Sequence, residues 1–194
     1  IMNYADIVLG TWYPSGGIRS VAKAVYKVAQ SVGVSFIFDN PIDEIIVKGK
    51  KVKGVMSKGK SYNADIVIAN ADYHHVEQKM LHKKFRNYSE SYWSNRTMSP
   101  SALLFYVGLK NKIEIPHHAL FFDSDFNQHA KDIYDYPKWP ETPLFYTSCT
   151  SKSDSNVAPD GGETLFILIP VATNLFDKKK TRKKYFDQVI SRME

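Results

Sequence analysis

The sequence predicts an α/β to α+β fold, with a mixed and largely antiparallel sheet and helices packed on it. Three observations carry the prediction. Ile18, Val21, Ala22, Val25, Val28, Ala29 and Val32 fall three and four residues apart, the period of one helix face. Short apolar or alternating runs bounded by turn residues recur along the rest of the chain, which is strand patterning. The strands of the second half follow one another through loops, without the regular crossover helices that a parallel sheet needs.

Taken in order, residues 1–11 form a helical or irregular lead-in, because Ile1, Met2, Tyr4, Ile7 and Val8 keep no clean period. Residues 10–17 (GTWYPSGG) form a loop in which Pro14 fixes one backbone angle and Gly16 and Gly17 admit conformations closed to other residues. The valines of the 18–32 helix are poor helix formers, so packing has to hold it; Gly33 caps its end. Val34, Phe36 and Phe38 predict a strand over 34–39, broken by Asn40 and Pro41. Residues 42–47 and 52–56 flank Lys48-Gly49-Lys50-Lys51 as a hairpin, and Lys58-Gly59-Lys60 turns again. Ile66, Val67, Ile68 and Ala69 then make an unbroken apolar run, the pattern of a strand buried on both faces. Asn70-Ala71-Asp72 ends it in a polar turn.

After residue 72 the composition shifts toward Tyr, Trp, Asn and Ser. Residues 73–81 read as a helix, and 101–110, 120–122, 144–149 and 164–169 as strands. A helix over 124–134 starts behind an Asp/Ser cap, 137–143 is a loop, and 177–193 is a last helix. Aromatic residues make up 13% of the chain, and many lie in these strands. Alternation puts one set on each face, so one face packs on helices while the other is free to line an apolar tunnel.

The order GTWYPSGG, helix, GVSFIFDNPIDEI, hairpin, ADIVIANAD resembles the middle of an FAD-dependent carotenoid desaturase of the bacterial phytoene desaturase type, in the flavin amine oxidase-like superfamily. Three later segments, MSPSALLFYVGL (98–109), PHHALFF (116–122) and SDSNVAPDG (153–161), resemble family segments in family order. The resemblance implies part of an FAD-binding, Rossmann-like domain joined to a substrate domain built on the antiparallel sheet. Residues 1–17 are then a substrate-side lead-in and loop, 18–72 a partial FAD-binding domain, and 73–194 a truncated substrate-binding domain. Ile42 matches a position whose backbone meets the adenine end of FAD. Asn70 and Ala71 are the other cofactor candidates, at the end of the predicted buried strand, where open α/β sheets bind ligands. The substrate candidates are Trp12, Tyr13, Gly16 and Gly17, in the loop where substrate and flavin regions meet, together with the strand aromatics Phe105 and Tyr146.

The activity implied is desaturation of a long isoprenoid hydrocarbon such as phytoene, in carotenoid biosynthesis, by hydride transfer to flavin. The cofactor carries the difficult chemistry, and a substrate with almost no polar handles calls for no conspicuous catalytic side chain; none is assigned. Related readings are a carotene isomerase, a saturase or a desaturase of shorter isoprenoids. The reading from another class is a non-catalytic lipid-binding module. The chain opens at Ile1 without methionine, stops at Glu194 within a predicted helix, and has no GxGxxG fingerprint. The expectation is therefore an internal fragment that binds FAD poorly by itself.

With 43% hydrophobic and 24% charged residues over 194 positions, the composition is that of a globular chain. The formal charge of +6 comes largely from residues 48–60 and from KKKTRKK at 178–184. Such runs are solvated surface or dock on anionic lipid; no zinc-finger spacing or nucleic-acid motif accompanies them, so no nucleic-acid partner is expected. No apolar run reaches the roughly 20 residues that span a bilayer. Membrane contact should then be peripheral and the location cytoplasmic, in keeping with a single cysteine, Cys149. His74-His75 and His117-His118 lack partners at metal-ligand spacing, and no GxSxG elbow marks a hydrolytic serine.

Overall fold

The computed structural model describes Tyr4 and residues 8–194; the expected lead-in positions Ile1, Met2 and Ile7 lie outside the described residues. In chain order the principal elements are α1 (Ile18–Ser31), β1 (Glu44–Lys48), β2 (Lys51–Ser57), β3 (Lys60–Asn63), α2 (Tyr73–His75), α3 (Glu90–Ser94), β4 (Ser101–Leu109), β5 (His118–Phe121), α4 (Phe126–Tyr134), β6 (Phe145–Ser148), β7 (Glu163–Val171) and α5 (Lys179–Ser191). The described residues divide into two compact units, one of residues up to Val32 with Met98–Glu194, the other Gly33–Thr97. The boundary that the sequence places near Tyr73 falls inside the second of these.

In the Gly33–Thr97 unit, β1, β2 and β3 form an antiparallel meander. Its register slips between Ile46 and Val47, opposite Gly54 and Val52. Gly54 makes the close approach possible: its φ is +137°, and a Cβ there would lie 1.9 Å from the Tyr62 carbonyl oxygen. α2 continues into a π-helical turn, Val76–Met80, with Asp72 accepting the His75 amide at 2.7 Å as N-cap. Glu77 is fully buried there; its carboxylate accepts the Asn87 amide at 2.7 Å and the Trp93 indole N–H at 3.3 Å.

Two predicted strands do not form. Residues 34–39 carry no strand, and Ile66 and Ile68 in the predicted buried run are 79% and 89% exposed. A strand that is apolar on both faces is stable only with cover on both faces and neighbours on its edges. Among the described residues, the ladder of this unit stops at Asn63, where the Ala64 amide makes a last bond to Lys53.

The other unit is built on a four-stranded antiparallel sheet of order β4-β7-β6-β5. β7 is nine residues long, lies between β4 and β6, and alternates strictly between buried and half-buried positions. Its buried set, Leu165, Ile167, Ile169 and Val171, joins Leu103, Phe145, Tyr185 and Val189 in the core under α5. Full burial of Ile167 and Ile169 contributes roughly 1.5–3 kcal/mol each relative to exposure. Tyr185 of α5 spends its hydroxyl on the Pro140 carbonyl at 2.5 Å, and burial, with Asp132 and Glu141 behind it, pushes its pKa up to about 12. On the sheet's flank His129 of α4 receives the Leu144 amide on Nδ1 at 3.1 Å and donates from Nε2 to the Pro170 carbonyl at 2.9 Å.

Candidate functional site

The half-buried face of the sheet supplies the site. Leu104 pairs with Leu168, Leu168 with Tyr146, and Tyr146 with Leu120. Because side chains alternate across a sheet and directly paired residues share a face, these four make one row. Tyr106 and Phe166, paired across β4 and β7 with rings 5.2 Å apart, belong to the same face. Leu104, Tyr106 and Leu120 are exposed. Tyr106, Tyr146 and Phe166 of this wall line a largely apolar groove of about 670 Å³, closed on another side by Trp12, Tyr13 and Ile18. That volume lies within the ordinary range for small-molecule sites.

The loop before α1 is set by its glycines. The Gly17 amide bonds to the Pro14 carbonyl at 2.8 Å, and Gly16 and Gly17 have φ of +78° and +79°. A Cβ on Gly17 would come within 3.2 Å of the Tyr13 hydroxyl, so glycine lets Tyr13 sit where it does. The Gly16 amide donates to Asp154 Oδ2 at 3.0 Å. Asp154 also accepts the Asn156 amide, which with the Gly16 bond holds its carboxyl below the ordinary range against the opposing effect of burial. This loop precedes a helix, yet a carboxylate already occupies its amide, which disfavours a phosphate there.

Polar atoms gather at one part of the groove. His118 Nδ1 and the Tyr146 hydroxyl are 2.5 Å apart, and His117 Nδ1 is 2.6 Å from Ser153 Oγ. The two imidazoles stack with centroids 4.2 Å apart, and Tyr13 meets His117 edge-on at 5.0 Å. Desolvation, then the neighbouring His118, lowers the His117 pKa and keeps that ring neutral near pH 7. Below the groove, Glu163 at the start of β7 is buried and ion-paired with Lys152 at 2.6 Å, and it accepts the Ile113 amide at 3.0 Å. Burial opposes its ionisation, but Lys152 and the Ile113 amide outweigh that and hold its carboxyl low.

Of the residues that the sequence singles out, Trp12, Tyr13 and Tyr146 line this groove together. Gly16 and Gly17 shape the loop behind them. Phe105 lies in the opposite row, paired with Ile167, and packs on Phe186 of α5 at 5.3 Å. Ile42 is half-buried next to β1, and Asn70 and Ala71 are exposed in the other unit. No hydrogen bond or ring contact among the described residues joins these three. His117 and His118 were visible in the sequence only as a pair without metal-ligand company. Their place beside Tyr146 follows from a strand pairing across nearly thirty residues, His118 with Ser148, and no local signal in the sequence announces it.

This arrangement, an antiparallel sheet with one greasy open face, also defines the class by comparison. An oxidoreductase from Methanosarcina mazei has the same fold with a TM-score of 0.65, at 14% identity, over 92% of this chain and 38% of its own. The family of flavin containing amine oxidoreductases matches residues 1–194, and the chain belongs to it. Similar curated proteins are a carotenoid 3,4-desaturase of Haloarcula japonica, 35% identical over 98% of this chain, and a zeta-carotene-forming phytoene desaturase of Myxococcus xanthus, 28% identical over 88%. A 1-hydroxycarotenoid 3,4-desaturase of a Flavobacterium is 30% identical over 86%. The chain spans 39%, 33% and 34% of the lengths of these three relatives.

Proposed function

We propose that this chain supplies the substrate wall of an FAD-dependent desaturase acting on a long isoprenoid hydrocarbon of the phytoene or carotene kind. The observation that carries the reading is the open apolar row Leu104, Leu168, Tyr146 and Leu120, with Tyr106 and Phe166 beside it, in a chain of the flavin containing amine oxidoreductase family. The names of the similar proteins support the substrate class. A polyene is long, flat and nearly without polar groups. An aromatic and aliphatic sheet face matches it by shape, holds it extended, and excludes water from the carbon to be oxidised.

FAD, held by a protein of the relatives' length, supplies the hydride acceptor. The residues of this chain bind and orient the hydrocarbon. Trp12 and Tyr13 close the groove opposite the sheet, and the Gly16–Asp154 bond fixes the loop that carries them. The substrate comes from lipid, which is already apolar, so binding gains little from hydrophobic transfer and depends on shape and on docking at a membrane surface. Among the described residues no helix is long and apolar enough to cross a membrane. The reading therefore takes contact with lipid to be peripheral and cytoplasmic, through the basic start of α5.

Expression of the full-length protein in cells that accumulate phytoene tests the reading. New visible absorbance from a longer conjugated chromophore is the expected result. Unchanged phytoene together with unchanged downstream carotenoids, at confirmed protein level and flavin content, would refute it.

A further inference from the structure

The basic run at 48–60 lies in the β1–β3 meander, and the fold gathers part of it at one end. Lys48 pairs directly with Lys51, with Lys50 in the turn between them, and all three are exposed. Like charges directly opposite each other weaken a ladder. Lys53 is the extra residue of the bulge: Ile46 pairs with Gly54 and Val47 with Val52, so no residue of β1 faces it. Bulges re-aim side chains, often beside functional sites. Here Lys53 lines a cavity of about 430 Å³ together with Lys48, Asn63, Ala64 and Asp65. Asn63 arrives by register. It pairs with Gly54, Gly54 pairs with Ile46, and Ile46 shares its face with Lys48 two residues on. Among the described residues, no ion pair or hydrogen bond holds the side chain of Lys48, Lys53, Asn63 or Asp65. Lysines on exposed strands also guard sheet edges against pairing, but that task calls for neither a bulge that admits no Cβ at Gly54 nor a cavity beside it.

We infer that this cavity is an anion site, in which Lys48 and Lys53 bind a phosphate group and the Asn63 amide donates to it. Ammonium groups bind phosphate as point charges, and Asn63 brings two N–H donors. An anion between the lysines also offsets the repulsion that Lys48 meets across the hairpin. Two lysines outweigh the one carboxylate of the lining, Asp65. As an acceptor, Asp65 is met by the hydroxyl of a phosphate that keeps one proton. The site lies in the Gly33–Thr97 unit and is independent of what the apolar groove binds. The phosphate can belong to a soluble ester or to a lipid headgroup.

The test is thermal melting of the full-length protein in inorganic phosphate, against chloride at equal ionic strength. A ligand that binds only the folded state raises the midpoint with its concentration, and the rise yields an apparent affinity. Lys48→Gln combined with Lys53→Gln should weaken that affinity about tenfold or more. Lys58→Gln combined with Lys60→Gln, an equal change of charge at the other end of the run, should leave it in place. Sedimentation with phosphatidylcholine vesicles containing phosphatidic acid then assigns the source. Binding that falls with the first pair of substitutions and not with the second puts the phosphate on a lipid; vesicle binding indifferent to both, with the effect of inorganic phosphate still dependent on Lys48 and Lys53, puts it on a soluble ester. A midpoint no higher in phosphate than in chloride, or a phosphate effect that survives loss of both lysines, overturns the inference and leaves the run as solvated surface.

Discussion

At the scale of the residue, Glu163 offers a direct test, because its carboxylate is buried within an ion pair. Its carboxylate lies at the first position of β7, 1% exposed, between Lys152 Nζ at 2.6 Å and the Ile113 amide at 3.0 Å, with Cys149 Sγ at 3.6 Å. Replacing it by Gln leaves Lys152 facing an amide in a half-closed site. Breaking a buried pair from one side typically costs about 3 kcal/mol, so Glu163→Gln is expected to lower the denaturation midpoint in urea at pH 7 with an unchanged slope. The pH dependence has a definite sign. The folded carboxyl titrates below its ordinary value, so the unfolded state binds more protons in the acid range. The contribution is complete at neutral pH and is lost as pH falls below about 4.3 and through the folded value. Urea titrations of wild type and Glu163→Gln should therefore converge toward acid; parallel curves would show that Lys152 and the amide do not hold the charge. Cys149 belongs to this network. Desolvation raises its pKa, so the thiol is a buried packing group and a poor nucleophile.

At the scale of the element, the legible parts were those whose pattern is local. The α1 period, the β1–β2 hairpin around Gly49 and Lys50, and the alternation of β4 and β7 all emerge within one or two residues of their expected bounds. The expected 34–39 and 66–69 strands were drawn from patterns that specify burial on two faces. Burial of that kind is a property of neighbours, and Ile66 and Ile68 have no covering layer among the described residues. Strand alternation also told that one aromatic set would face a groove, but not which. Phe105 and Tyr146 fall on opposite faces because pairing sets the row, and Phe105 opposite Ile167 is turned to the core. The bulge in the meander was equally hidden, since Gly54 in VKGVM reads as a weak strand position. The geometry requires it. A methyl group 1.9 Å from the Tyr62 carbonyl, at a φ of +137°, cannot be relieved by moving a flexible side chain. Gly54→Ala is expected to unpair β3 from β2, by about 2 kcal/mol or more of local stability. Hydrogen exchange at the Ala64 and Tyr62 amides reads this directly: protection should fall there while β7 amides keep theirs. Undiminished protection at both would show that the meander tolerates a Cβ at this bulge.

At the scale of the whole molecule, the proposed docking on lipid can be measured through the basic residues. Part of the +6 formal charge sits at the entry to α5, where Lys178 is the N-cap and carries no acidic capping partner. Arg182 and Lys183 are partly neutralised, by Asp177 at 3.2 Å and Asp187 at 2.6 Å. Lys178, Lys179 and Lys180 are exposed, and Lys178 rests over the exposed Phe176 ring at 5.0 Å. An aromatic ring beside lysines is the pairing that a lipid headgroup region receives well, the ring at the interface and the ammonium groups at the phosphates. Each lysine near an anionic surface contributes about 1 kcal/mol, and that attraction falls off within a Debye length of roughly 8 Å at physiological salt. Three of them amount to about a hundredfold in partitioning. Charge reversal of Lys178, Lys179 and Lys180 to Glu in the full-length protein should therefore reduce sedimentation with phosphatidylserine vesicles by at least that factor. Neutral phosphatidylcholine vesicles should show little difference between the two proteins, and added salt should erase the wild-type advantage. Equal sedimentation of the two proteins with anionic vesicles would leave these lysines as solvated surface, and the proposed substrate would have to reach the groove from another face.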